Sequence, residues 1–312
     1  MNRYKLPKGV VNDDLSINVQ NLNNIDKKQK TLFRSRVALV RELAHTICRG
    51  GQASLEEIRE NYLSVFPLET AKGAEKTGKY FDMVSIAEKI EICREISSLI
   101  DSKDIFYESI LGNPDVCKAS AAKKIVYVKN HFTDSAYLAF SSYSSEFRCA
   151  HFDSFDAVCE DVHSGESEFC ILPIETSYDG KLLSFYSMID KYEFKIISTC
   201  TVEHQDSSKF TKFALLGRSI SLPESTGTLG KKLEIRISQS PAKTSPVYEI
   251  LLAADNCNIQ LCRIDSLPLS YNESMLSYYA VFDMYESDLK TFITYLAIEH
   301  PQCYALGIYF EN

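Results

Sequence analysis

The side chains best equipped for chemistry in this 312-residue chain are its thiols, imidazoles, grouped arginines and a few hydroxyls. Ten cysteines are present, but the closest pair, Cys257 and Cys262, is separated by four residues with no histidine nearby. Neither CxxC nor zinc-like spacing occurs, which reads against a metal site and for reduced, mostly buried thiols. The six histidines, at 45, 131, 151, 163, 204 and 300, are scattered, as surface or core residues usually are. Glu175 follows an apolar run and is placed to cap a helix, to form an ion pair or to move a proton. Arg34, Arg36, Arg41 and Arg49 have the charge to hold a dicarboxylate, although arginines on a helix more often lie on its solvated face. Thr211 sits in a β-rich stretch, where threonine is ordinarily a strand residue.

These groups need a scaffold, and composition bounds it. With 45% hydrophobic and 24% charged residues the chain reads as globular. A net charge of −8 without a Lys/Arg run is a poor match for nucleic acid or anionic lipid. Apolar runs such as 171–174 are too short to span a bilayer. The amino end leads into polar residues rather than a secretory signal, so a cytoplasmic protein is expected, with no membrane and no nucleic acid among its partners.

The elements fall into three parts. Residues 1–27 are polar and Asn-rich and read as a loose arm; 28–122 read as helical. Val37, Val40, Ala44 and Ile47 recur at helical spacing and Gly50-Gly51 stops them. Ser54-Leu55-Glu56-Glu57 is a capping box for a second helix. A Gly/Lys-rich loop over 72–79 precedes a third, with Ile86, Ile90, Cys93 and Ser97 on one face. Residues 123–217 alternate strand and helix: strands at 124–128, 149–152, 169–174, 193–201 and 210–216, helices at 135–147, 154–162 and 182–189. That alternation predicts an open α/β sheet. After a linker at 218–230, residues 231–312 read β (233–238), α (247–254), β (259–264), β (278–284), α (289–298), β (303–310), the ferredoxin-like βαββαβ order. The fold class is thus α/β plus α+β.

Two segments are distinctive. Leu172-Pro173-Ile174-Glu175-Thr176-Ser177-Tyr178-Asp179-Gly180 resembles the P-I-E-N-S-x-x-G signature of prephenate dehydratases, and Lys209-Phe210-Thr211-Lys212-Phe213 resembles their N-x-T-R-F. Residues 126–139 resemble the opening strand and G-P-x-G-T-x-S turn, of which Thr133 and Ser135 remain. The carboxyl-terminal part resembles the ACT regulatory domain: Ile259-Gln260-Leu261 matches I-N-L, Asp265-Ser266-Leu267-Pro268 matches E-S-R-P, and Leu306-Gly307-Ile308-Tyr309 matches L-G-S-Y. The order of motifs is right across 123–312.

The resemblance implies a periplasmic-binding-like α/β lobe followed by an ACT domain. It also implies a lyase of phenylalanine biosynthesis that converts prephenate to phenylpyruvate with loss of water and carbon dioxide. Aromatisation drives that reaction, so no metal or organic cofactor is implied. By motif position Thr211 is the catalytic hydroxyl. Lys212, Thr176, Ser177, Gly180, Thr133 and Ser135 hold the substrate, a small dicarboxylate. In the ACT domain, Ser245, Val247, Asp265 and Ser266 fall on the regulatory segments, where the implied ligand is an aromatic amino acid and the implied partner a second copy.

The departures are physical. Lys212 stands for arginine and lacks its two-point fork; Thr176 stands for asparagine and lacks its amide. Both glycines of the opening turn are replaced, and Leu267 takes the place of the E-S-R-P arginine. Only 181–210 connects the two distinctive segments, short by one small lobe of roughly 100 residues. The site is then completed by the helical part, completed by a partner subunit, or lost. The alternatives to a dehydratase are a non-catalytic ACT-containing sensor or dimerising protein, and chorismate mutase activity in the helical part.

Overall fold

The computed structural model describes residues 13–66, 79–100, 109–111, 124–143, 148–205, 208–220, 231–238, 246–269, 272–285 and 287–311. Helix α1 spans Asp13–Ile47, α2 Leu55–Val65 and α3 Lys79–Leu99. Gly50 and Gly51 end the first with φ of 68° and 91°. The capping box of α2 forms as predicted: Ser54 N donates to Glu57 Oε2 at 2.9 Å and Ser54 Oγ accepts from Glu57 N at 3.3 Å. These bonds and Arg49 hold the Glu57 carboxyl below its ordinary range.

The arm expected over 1–27 is corrected in part, because α1 already begins at Asp13. Leu15, Val19 and Leu22 recur at helical spacing, and Asp13 and Asp14 suit the positive end of a helix. The Asn-rich composition hides that pattern. Residues 1–12 and the loop expected over 72–79, save Lys79, lie outside the described residues.

The middle part comprises β1 (Ile125–Val128), α4 (His131–Phe140), β2 (Cys149–Phe152), α5 (Phe155–His163), β3 (Phe169–Thr176), β4 (Gly180–Lys181), α6 (Leu183–Tyr192), β5 (Lys195–Glu203) and β6 (Phe210–Gly217). Helix α4 opens four residues before the predicted start because Asn130 caps it, its Oδ1 accepting from Phe132 N and Thr133 N at 3.0 Å. The last part comprises β7 (Lys231–Ser238), α7 (Pro246–Asn256), β8 (Gln260–Leu269), β9 (Asn272–Asp283), α8 (Leu289–Glu299) and β10 (Cys303–Glu311).

All ten strands form one mixed sheet in the order β2-β1-β3-β6-β5-β10-β7-β9-β8, with β4 paired to β3. β1 runs parallel to β2 and β3, while β6 is antiparallel to β3 and β5. Pro173 cannot donate to a ladder, and the β3–β6 register shifts immediately after it. The strands β10-β7-β9-β8 form an antiparallel set. The two sets meet where β10 runs parallel to β5. There Gly307 lies opposite Ile196, and a Cβ on it would come within 2.4 Å of the Ile196 carbonyl oxygen.

Three apolar cores follow. One joins the helical part to the carboxyl-terminal part, with Ile90, Cys93 and Ile96 of α3 clustered with Phe292, Leu296 and the β7 residues Leu233, Ile235 and Ile237. Arg59 Nε donates to Ala297 O at 2.6 Å across this contact, and Arg94 pairs with Asp288 at 2.9 Å. A second core places α5 and α6 against the sheet and includes Tyr279, Leu306 and Tyr309 from the carboxyl-terminal strands. The third places α4 on the other face with Ile171, Phe213 and Leu215. Strand β8 is six positions from β3, which on a flat sheet would be about 29 Å. Arg263 of β8 nevertheless reaches Glu175 of β3 at 2.8 Å. The sheet therefore twists and curls around α6 and β4.

Candidate functional site

Strand register decides which of the expected residues share a face. Thr211 lies opposite Thr176 on β3 and Val202 on β5. Cross-strand partners project to the same side, and successive residues to opposite sides. Thr211 and Thr176 are therefore neighbours on the α4 face. Lys212, opposite Glu175 and Thr201, lies on the α6 face. The lysine expected beside the Thr211 hydroxyl is separated from it by the sheet and is ion-paired with Glu311 of β10.

Thr211 is 9% exposed. Its Oγ1 lies 3.0 Å from His204 Nε2, and the imidazole stacks on Phe132 with ring centroids 4.2 Å apart. His204 N donates to Lys209 O at 2.9 Å, which closes the end of the β5–β6 hairpin. The sequence places His204 near Thr211 but gives it no role. The signal that finds it is the hairpin, which folds positions 204 and 211 against each other. His131, the other histidine in the opening segment, is tilted against Phe132 at 5.7 Å.

The remaining hydroxyls are engaged locally. Thr133 is buried at the start of α4, where Oγ1 accepts from Asn130 N at 2.9 Å and lies 2.7 Å from the Val128 carbonyl as donor. Ser135 Oγ donates to His131 O at 3.1 Å inside the same helix. Thr176 Oγ1 accepts from Asp179 N at 3.0 Å and lies 3.1 Å from Asp179 Oδ2. Ser177 N donates to Phe210 O at 3.0 Å, and Ser177 Oγ accepts from Phe210 N at 3.2 Å. Gly180, at φ 67°, lies opposite Thr176 on β4.

The segment 176–180 is a β3–β4 hairpin whose hydroxyls bond the turn and its neighbour β6. The helix that follows starts only at Leu183, and Leu182 provides no side-chain cap.

On the α6 face the charges form a chain that the sequence does not announce. Arg263 grips Glu175 through both carboxylate oxygens at 2.8 and 3.0 Å and pairs with Asp265 at 2.8 Å. Lys181 lies 3.2 Å from Asp265 and 3.0 Å from Glu234. Glu234 is 1% exposed and also accepts from Tyr186 at 2.9 Å and Tyr309 at 2.8 Å. Burial, and then Glu234, hold both tyrosines far above their ordinary range, so they remain donors. Asp265 therefore belongs to a tie between the middle and carboxyl-terminal parts. Ser266 is exposed, Val247 packs against the first core from α7, and Ser245 lies outside the described residues.

In the helical part, Arg36 pairs with Glu88 and Glu91, Arg41 with Glu95 and Arg49 with Glu57; Arg34 is exposed. Those arginines lie on the solvated face. Burial pushes the Cys48 and Cys200 thiols up to about 11, and Cys257 and Cys303 up to about 12, so these four are poor nucleophiles at neutral pH. Among the described residues no His/Cys/Asp/Glu group is arranged to hold a metal ion, and no helix is long and apolar enough to cross a membrane.

No curated protein matches the chain. Among solved structures, a prephenate dehydratase from Streptococcus mutans is 17% identical, with a TM-score of 0.48 over 61% of this chain and 98% of that one. The prephenate dehydratase of Arthrobacter aurescens, solved in complex with L-Phe, is 15% identical, with a TM-score of 0.46 over 60% and 90%. GqqA, described as a novel type of quorum quenching acylase, is 16% identical, with a TM-score of 0.45 over 61% and 95%. The family model for prephenate dehydratase matches residues 128–219. Over that stretch, which holds both the Thr176 and the Thr211 segments, this chain is similar to the prephenate dehydratase family.

Proposed function

We propose that this chain is a prephenate-dehydratase-like protein that has given up the dehydratase reaction and serves as a non-catalytic, ACT-bearing regulatory protein. The observation that carries this reading is the connection over 181–210, which holds α6 and β5 where the resemblance calls for a second lobe between the two family-like segments. Prephenate carries two carboxylates, and its elimination needs them held while a hydroxyl departs beside a donor. On the Thr211 face the hydroxyls of Thr133, Thr176 and Ser177 are engaged by turns and caps. The cations Lys212 and Lys181 are paired on the other face.

Residues 231–311 supply the regulatory half of the proposal. Their strand and helix order and the sheet order β10-β7-β9-β8 fit a ferredoxin-like ACT domain. An aromatic amino acid is the ligand this reading assigns to it. The outer edge of β8, unpaired among the described residues, is the surface it assigns to pairing with a second copy.

A second reading retains prephenate dehydratase activity, and one observation favours it. His204 Nε2 lies 3.0 Å from the Thr211 hydroxyl; in the tautomer whose Nε2 carries the hydrogen, the imidazole donates and leaves the hydroxyl hydrogen for a departing oxygen.

Incubating the purified chain with prephenate at neutral pH and following phenylpyruvate separates the two. The regulatory reading expects the uncatalysed rate, the same in Thr211→Ala, together with a rise in thermal midpoint on adding phenylalanine or tyrosine. Turnover above background that Thr211→Ala removes would establish the second reading instead.

A further inference from the structure

Between Leu22 and Leu39, α1 carries large apolar side chains that the described residues leave exposed. Leu22, Ile25, Leu32, Phe33 and Leu39 are 43–68% exposed. At 100° per residue the five fall within one arc of about 120°. Ile25, Leu32 and Leu39 recur at seven-residue steps, and Leu22 and Phe33 flank them in the same stripe. Further along α1 the same side of the helix carries Val40, Leu43 and Ile47 into the first core, so these exposed residues continue a face that the core takes up only from Val40 onward. Arg36 and Arg41 tie the helix to Glu88, Glu91 and Glu95 of α3, which anchors it beside the exposed stripe. Contiguous exposed apolar surface of this kind marks an interaction site.

Charge distribution selects the occupant. From Asp13 to Asp26 the helix contains three aspartates and no Lys or Arg. From Lys27 to Arg41 it contains Lys27, Lys28, Lys30, Arg34, Arg36 and Arg41 and no Asp or Glu. A second copy laid parallel would set six positive charges against six. Laid antiparallel, it sets each basic half against an acidic half, and the helix dipoles oppose favourably.

We infer that α1 pairs with α1 of a second copy of this chain, antiparallel, about a two-fold axis near residue 27, so that Leu22 of one copy packs against Leu32 of the other. A two-fold contact of this kind uses the same patch twice and closes on itself. The helix from Asp13 to Arg36 is about 36 Å long, enough for one continuous seam. This interface is separate from the pairing at the β8 edge, and either can fail without the other.

The test is the mass of the full-length chain in solution by sedimentation, for wild type, for Ile25→Glu/Leu32→Glu and for Ile264→Lys on the β8 edge. The expected result is that Ile25→Glu/Leu32→Glu halves the assembly size, with unchanged circular dichroism because both side chains are exposed, whatever Ile264→Lys does. A photo-crosslinking residue at position 22 is expected to capture the 30–34 peptide of a second, isotope-labelled copy. A monomeric wild type at tens of micromolar, an assembly unchanged by Ile25→Glu/Leu32→Glu, or capture of position 22 by its own counterpart would each overturn the inference.

Discussion

Two successive side chains, Thr211 and Lys212, show how one residue of register separates groups that a motif lists side by side. The hydroxyl faces α4 and His204, while the ammonium faces α6 and Glu311. The motif was legible because it is local, and strand alternation alone puts its successive residues on opposite faces; which face each one takes depends on pairing with β3 and β5, forty residues or fewer away. Glu234 makes the same point. In Lys232-Leu233-Glu234-Ile235-Arg236 the charged alternate positions read as a solvent face, yet Glu234 is buried between Lys181 and two tyrosines. Glu234→Ala leaves the buried Lys181 with only Asp265 and strips two tyrosine hydroxyls of their acceptor. A loss of about 3–5 kcal/mol is expected by chemical denaturation, since removing one partner of a buried pair leaves the other uncompensated. An effect under about 1 kcal/mol would mean that Lys181 finds water.

The elements followed the sequence where their signals are short-range. The Ser54–Glu57 box and strand β2 fell at the expected positions, and α5 within one residue of its own. The seam between β5 and β10 joins positions more than a hundred residues apart, and no local pattern announces it. Gly307 was read as part of a closing-strand motif, and the structure supplies its reason: the Ile196 carbonyl occupies the place of a side chain. Gly307→Val is expected to cost roughly 1–3 kcal/mol or more, as overpacking does, and to open this seam first in hydrogen exchange.

The same seam carries a pH dependence. Lys195 donates to Ala305 O at 2.8 Å, and burial lowers its pKa to about 8 from an ordinary 10.5. Between those values the unfolded chain binds the proton more tightly than the folded one. Stability therefore rises as pH increases from about 8 to 10.5, by of order 3 kcal/mol from this group, and levels off above. Lys195→Met should flatten that rise in denaturation curves taken across the window.

At the scale of the whole molecule, the three sequence parts are held as one body by different means. The helical part shares an apolar core with α7 and α8. The middle part shares a strand pair with β10 and the ion chain from Glu175 to Glu234. That chain draws together the glutamate of one family-like segment and the aspartate of another. Residues 181–210, the short connection that leaves no room for a second lobe, are here α6, β5 and the turn beginning β6, and α6 fills the concave side of the curled sheet.

Equilibrium binding of prephenate to the full-length chain, by titration calorimetry at neutral pH, addresses this account most directly. With Lys212 on the face opposite Thr211 and paired with Glu311, no saturable heat is expected up to millimolar prephenate, in wild type or in Thr211→Val. One-to-one binding in the micromolar range that Thr211→Val abolishes would contradict the account and restore a working dicarboxylate site.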